Sequence, residues 1–189
     1  MRTKIMDGAR TLFREKGYSN VTMRAIGRKV GCSAAAIYRH FRNKREIMQA
    51  LRHEGFVKML EAVRQEMTSP DHRRRLVEFG RGYVRFALEN PEAFALMYNL
   101  AGQGPEEDPD AGEEPVEGFA FFRDTVREAV ERGGLEHADP DTLVFTIWSA
   151  MHGLACLINC GRLRTVHGAV DEFELVERML GWIVRTDLA

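Results

Sequence analysis

Cysteine is scarce in this chain: Cys32, Cys156 and Cys160 are its three in 189 residues. Three thiols build no disulfide framework and suit a reducing compartment. Long hydrophobic runs are lacking too. The most apolar stretch, 143–158, is interrupted by Thr146, Ser149 and His152. It falls short of the ~20 residues a membrane span needs, so a helix buried on most sides within protein is expected there. The N-terminus is amphipathic and charged, unlike a secretory signal, and no leader is expected. No segment alternates convincingly as a strand would, and no internal repeat is present. A Gly-rich phosphate loop, Gly-x-Ser-x-Gly and His-Glu-x-x-His are all missing. Carboxylates are plentiful but fall mostly in a linker or on solvated helix faces, so no catalytic residue, no cofactor and no enzyme activity is expected.

What is present is a charge asymmetry. The net charge of −1 conceals a basic head and an acidic body. Residues 1–50 hold twelve Lys and Arg against three acids, and the remainder holds 15 basic and 25 acidic residues. That is the footprint of a part that meets a polyanion while the rest avoids one.

The head is organised around 22–44, TMRAIGRKVGCSAAAIYRHFRNK. Thr22 is a good N-cap for a short helix whose buried side is Met23, Ile26 and Val30. Gly31 ends it, because the turn needs a positive φ. Ser33 caps a second short helix, Ala34 to about His40, with Ala36, Ile37 and Phe41 on its apolar side. Two short helices around a tight Gly-containing turn are the DNA-reading arrangement. A first helix over about 3–16 precedes them and stops at Gly17. Asn43 and Glu46 form a capping-box-like pair that opens a longer helix running towards Met67. Lys44 sits in its first turn, where the dipole disfavours a cation by roughly 0.3–1 kcal/mol. A bound phosphate would reverse that balance.

Downstream, Ser69-Pro70-Asp71 opens a fifth helix and Asn90-Pro91-Glu92 a sixth. Gly80 and Gly82 inside the fifth point to close helix contact or to open volume for a ligand. Residues 102–117, with three prolines and seven acids, read as a linker unable to pack. A seventh helix spans about 116–132, an eighth is the apolar run between Asp139 and Gly161, and a ninth spans about 171–185. The expected fold is all-α with about nine helices: a head at 1–46 and a body at 47–189.

The pattern LFREKGY (Leu12–Tyr18), Thr22, Ile26, Gly31, Ser33, Ile37-Tyr38, Phe41 and Lys44 resembles the TetR/AcrR family of bacterial transcription regulators. WSAMHG (Trp148–Gly153) and PEAFALM (Pro91–Met97) resemble one subgroup of it. The resemblance implies a cytoplasmic, ligand-responsive regulator, and a repressor in particular. Such a protein is a homodimer on a near-palindromic double-stranded DNA operator, with no membrane role. It implies phosphate contacts from Thr22, Tyr38, His40 and Lys44. It also implies dimerisation through the last two helices as a four-helix bundle, which places the reading helices about 34–36 Å apart.

On the residues themselves, Ala34, Ala35 and Ala36 behind the Ser33 cap form a lean front that lets the second short helix enter a groove closely. Arg24, Arg28 and Arg39 are the better candidates for reaching guanine or phosphate. Phe79, Tyr83, Met97, Phe122, Met151 and His152 are candidates for an effector pocket. Trp148, Phe173, Val176, Leu180 and Ile183 are candidates for the dimer interface. His152, Cys156 and Cys160 recur at i, i+4 and i+8. They leave a second reading open, a metal- or thiol-oxidant-sensing regulator, against a plain apolar packing role for the cysteines.

Overall fold

The computed structural model describes residues 1–98, 116–135, 139–168 and 171–185. Ten helices are described: α1 Arg2–Lys16, α2 Met23–Val30, α3 Ala34–Tyr38, α4 Lys44–Glu66, α5 His72–Glu89, α6 Pro91–Met97, α7 Val116–Arg132, α8 Pro140–Asn159, α9 Arg162–His167 and α10 Glu172–Arg185. No strand occurs among the described residues. The count exceeds nine because α9 forms after Gly161, which takes a left-handed φ of 72° and lets the chain restart as a short helix. The expected linker lies outside the described residues up to 115.

The chain forms two compact units. The first comprises Met1–Gly55 and Glu92–Pro109, the second Phe56–Pro91 and Asp110–Ala189. The first half of α4 therefore belongs to one unit and its second half to the other, with the division between Gly55 and Phe56.

In the first unit, Ile5, Ala9, Leu12 and Phe13 of α1 meet Ile26, Val30, Ile37, Phe41, Ile47 and Leu51 in one core. Burying such side chains contributes about 1.5–3 kcal/mol each relative to exposure. Helix α6 joins this unit: Arg52 Nε donates to the Leu96 carbonyl at 3.3 Å, and Arg14 pairs with Glu92.

In the second unit α5 is the central helix, packed against α7, α8 and α10. Leu76, Val77, Phe79, Tyr83, Val84, Phe86 and Ala87 are all buried. Its first turn is capped by Asp71, whose Oδ1 accepts from Arg73 N at 2.8 Å, so the helix opens after Asp71 rather than at Ser69-Pro70. Arg73 donates to the Gly133 and Gly134 carbonyls at the end of α7 and so satisfies acceptors that a helix C-terminus leaves unpaired. The two glycines of α5 mark close contact rather than open volume. A Cβ at Gly82 would lie 2.5 Å from Val63 Cα, and one at Gly80 2.1 Å from Leu180 Cδ1.

Helix α8 is 20 residues long and apolar enough to meet the length and composition of a membrane span, which corrects the expectation that the run is too short. It is also less enclosed than expected. Leu143, Val144, Ile147, Met151, Leu154 and Ala155 are core, while Phe145, Thr146, Ser149 and Leu157 face outward.

Candidate nucleic-acid interface

The reading motif is built from local bonds. Thr22 Oγ1 accepts from Ala25 N and Ser33 Oγ from Ala36 N, both at 3.2 Å, so each side chain satisfies one amide that its helix start leaves unpaired. Between the helices Gly31 adopts φ 70°, ψ 36°, and Cys32 N donates to the Gly27 carbonyl at 2.9 Å. A Cβ at Gly27 would stand 2.8 Å from the Cys32 carbonyl oxygen, so the tight turn depends on that glycine. Helix α3 stops at Tyr38, with Arg39 as its cap, short of the expected His40. Beyond it the His40 and Phe41 amides both donate to the Ile37 carbonyl.

Ile26, Val30, Ile37 and Phe41 anchor the motif from beneath. The opposite side is open. Thr22, Arg24, Arg28, Ser33, Ala35, Tyr38, Arg39 and His40 are all exposed, and Ala34 is half-buried. Nine of the ten expected DNA-facing residues thus lie on or beside an accessible face of α2 and α3.

Lys44 behaves differently. Its Nζ donates to the Tyr18 carbonyl at 2.6 Å, lies 3.4 Å from that of Ser19, and sits 4.0 Å from the centre of the Tyr18 ring. Half-burial pushes its pKa down. The α4 start also departs from a reciprocal capping box. Asn43 Oδ1 accepts from Glu46 N at 2.9 Å, but Glu46 Oε2 accepts from Arg42 N at 2.6 Å.

In the second unit, four of the six candidate effector residues are close-packed core: Phe79, Tyr83, Phe122 and Met151. The Phe79 and Phe122 rings meet at a tilt of 42°, with centroids 4.8 Å apart. The Tyr83 hydroxyl lies 2.9 Å from His152 Nδ1, and Cys156 Sγ lies 3.5 Å from His152 Nε2. Burial lowers the His152 pKa. Met97 does not join them, because it belongs to the first unit and packs against Gly55 of α4. A groove of about 640 Å³ lies between α5 and α10, lined by Asp71, Arg74, Glu177 and Trp182 among others, and it includes none of the six.

His152 and Cys156 meet, but Cys160 does not complete a set of three with them. Cys160 Sγ points to the Leu157 carbonyl. Burial pushes the Cys156 thiol up, away from the reactive thiolate. No group of three His, Cys, Asp or Glu side chains able to hold a metal occurs among the described residues.

The interface candidates need correcting in part. Val176 and Leu180 are 1% and 2% exposed, because α10 turns that side onto α5 and α8 within the same chain. Phe173 lies beneath the Arg85 and Arg81 guanidinium groups, and Trp148 meets Phe119 edge-on at 5.8 Å. Ile183 is half-buried. On α8 and α10 the large apolar side chains in water are instead Phe145, Leu157 and Trp182, at 57%, 46% and 70%. Phe145, Ser149, Gly153 and Leu157 recur every four residues along one side of α8.

Comparison with known proteins agrees with the fold. Residues 5–51 match the family described as bacterial regulatory proteins, tetR family, and residues 76–181 match the tetracyclin repressor-like C-terminal domain. The HTH-type transcriptional repressor AcnR of Corynebacterium glutamicum is 35% identical over 96 residues, 51% of this chain and 45% of that protein. The biofilm operon icaADBC negative transcriptional regulator IcaR of Staphylococcus epidermidis is 47% identical over 47 residues, 25% of each. These matches span less than half the length of either relative. Among solved structures, the TetR family regulator PfmR of Thermus thermophilus superposes with a TM-score of 0.68 at 22% identity, covering 98% of this chain and 99% of that one. A Rhodococcus sp. RHA1 protein of unknown function gives 0.78 at 24% identity, over 97% and 93%. The chain belongs to the tetR family of bacterial regulatory proteins, a family of DNA-binding transcription regulators and not of enzymes.

Proposed function

We propose that this protein is a transcriptional repressor that binds a near-palindromic operator as a homodimer and leaves it when a small molecule occupies the body. The observation that carries this reading is the accessible face of α2 and α3. It offers two hydroxyls, three guanidinium groups and an imidazole from Thr22, Tyr38, Arg24, Arg28, Arg39 and His40, on a motif fixed by caps and core from behind. Hydroxyls and cations on phosphates set the register, and Arg39, Arg24 or Arg28 reads base edges. The repressor character of the AcnR and IcaR relatives supports the direction of control.

Dimerisation is supported by the outward side of α8 and α10. Phe145, Leu157 and Trp182 are large apolar side chains exposed to water, and a second copy related by a two-fold axis would cover them with the same residues. Effector binding is assigned to the second unit around Phe79, Tyr83, Phe122, Met151 and His152, where the Tyr83–His152 pair is a polar anchor among aromatic rings. A ligand acts there only through its different affinity for the DNA-competent and DNA-free states. Helix α4, shared by both units, is the element through which residues 47–189 would act on residues 1–46. The protein works in the bacterial cytoplasm, and α8 serves as a core and interface helix, not as a span.

Selection from a randomised duplex pool tests the reading. Recovered sites should be inverted repeats with half-sites about one helical turn apart. A pool with no enrichment, or single half-sites bound with full affinity, would overturn it.

A further inference from the structure

We infer that Arg2, in the first turn of α1, is a further contact to the DNA backbone, so that α1 joins α2 and α3 on the duplex. The inference rests on the DNA-binding reading above and adds to it a residue outside the reading motif. In sequence α1 is a scaffold helix, whose Ile5, Ala9, Leu12 and Phe13 supply the core of the head. The fold brings its first turn to the end of the reading helix. The Arg2 guanidinium carbon lies 4.8 Å from the centre of the Phe41 ring. Phe41 closes the turn after α3, with its amide on the Ile37 carbonyl at 3.0 Å. Its chain neighbours His40 and Arg42 are exposed, and so is Arg2 itself. Arg2 therefore stands at the margin of the accessible face that Tyr38, Arg39 and His40 present.

The guanidinium is held but not neutralised. The Phe41 ring lies under it, and Met6 Sδ accepts weakly from its Nη1 at 3.6 Å. Neither partner carries a charge. The acids described in the first unit are engaged elsewhere. Asp7 and Glu54 pair with Arg10, Glu92 with Arg14 and Glu15 with Lys29. Glu46 accepts from the Arg42 amide. The first turn of α1 holds no acid. Arg10 and Arg14 of the same helix are thus occupied within the chain, whereas no carboxylate among the described residues pairs with Arg2.

Its position selects the acceptor. A helix in the major groove, ~12 Å wide, is walled by phosphates on both sides. A group at the margin of the α3 face meets that wall and not a base edge. A guanidinium carries five N–H donors in a rigid fork, of which Met6 takes one, and paired phosphate oxygens match the others. The dipole of α1 disfavours a cation in its first turn, and a phosphate beside Arg2 offsets that cost.

The test uses the full chain, a duplex recovered by selection, a random duplex and a KCl titration. Arg2→Met keeps an apolar stem over Phe41 and removes the charge, and Arg2→Lys keeps the charge. Arg2→Met should weaken binding to both duplexes by a similar factor, roughly tenfold at low salt. The slope of log affinity against log salt should become shallower by about one unit for each copy of the chain on the duplex. Arg2→Lys should recover most of that slope. Selection with Arg2→Met should return the wild-type motif, because a phosphate contact carries no sequence information. An unchanged slope in folded Arg2→Met would leave Arg2 as a cover for Phe41 and overturn the inference alone. A loss confined to the selected duplex, or an altered motif, would place Arg2 on a base edge and overturn it too. If Arg2→Met does not fold, Arg2→Gln decides by the same slope criterion. A wild-type protein that selects no duplex overturns the DNA-binding reading and this inference with it.

Discussion

Leu180 of α10 closes over Gly80 of α5: a Cβ placed on Gly80 would stand 2.1 Å from Leu180 Cδ1. Leu180 is therefore core, and the pair should behave as one unit. Leu180→Ala should cost roughly 2–5 kcal/mol through lost burial and the cavity it leaves. Gly80→Ala should cost roughly 1–3 kcal/mol through overpacking. In the double variant the new methyl enters the space that Leu180 vacates, so the two costs should add to less than their sum. Denaturant titration of the four proteins measures the coupling, and strict additivity would break the assigned contact.

Self-association should respond to the outward side of the same helices. Leu157→Glu and Trp182→Arg each place a charge on surface that a partner copy would cover, without touching the core. Both should sediment as folded monomers, whereas Leu180→Glu should unfold the body, because it buries an unpaired carboxylate. A dimer that survives both outward changes would move the interface elsewhere.

These cases show where sequence reading works and where it stops. The head was legible because its signals are local. Thr22 and Ser33 bond amides three residues away, and Gly31 answers a backbone conformation. The helical body was legible from apolar spacing and Asp-Pro starts, as at Asp139, whose Oδ2 accepts from Thr142 N at 2.8 Å. Sidedness was not. Helix α8 carries large apolar residues all round, so periodicity does not separate inward Leu143 and Met151 from outward Phe145 and Leu157. On α10, Val176 and Leu180 look the same as interface residues until α5 is placed beside them. Met97 misleads for the same reason, and the Lys44–Tyr18 contact is equally silent in the sequence. Gly55 and Tyr18 are distant in sequence, and nothing local announces either contact.

Acid should weaken the body through His152. Burial holds its folded-state pKa below the ordinary imidazole value of about 6.5. The native form is the neutral ring, held between Tyr83 and Cys156. Its contribution is complete above the unfolded-state value. It is lost as pH falls from there through the folded-state value, because the unfolded chain binds the proton more readily. The melting temperature of wild type should therefore fall more steeply between pH 7 and 5 than that of His152→Asn. Parallel curves would mean that the imidazole is protonated equally in both states.

Base recognition should centre on Arg39. Ala34, Ala35 and Ala36 offer only methyl groups along the front of α3, so this turn makes no side-chain hydrogen bond to a base edge. The exposed polar groups that follow are Tyr38, Arg39 and His40. A phenol or an imidazole suits a phosphate or a sugar, whereas a guanidinium matches the paired acceptors of guanine in the major groove. Arg39→Ala should cost roughly 1–3 kcal/mol on the selected duplex and relax preference at one position in each half-site. Binding to random duplex should change far less, since its affinity is carried by phosphate contacts. Repeating the selection with Arg39→Ala measures this position by position. A recovered motif identical to that of wild type would remove Arg39 from base reading and leave the role to Arg24 and Arg28 on α2.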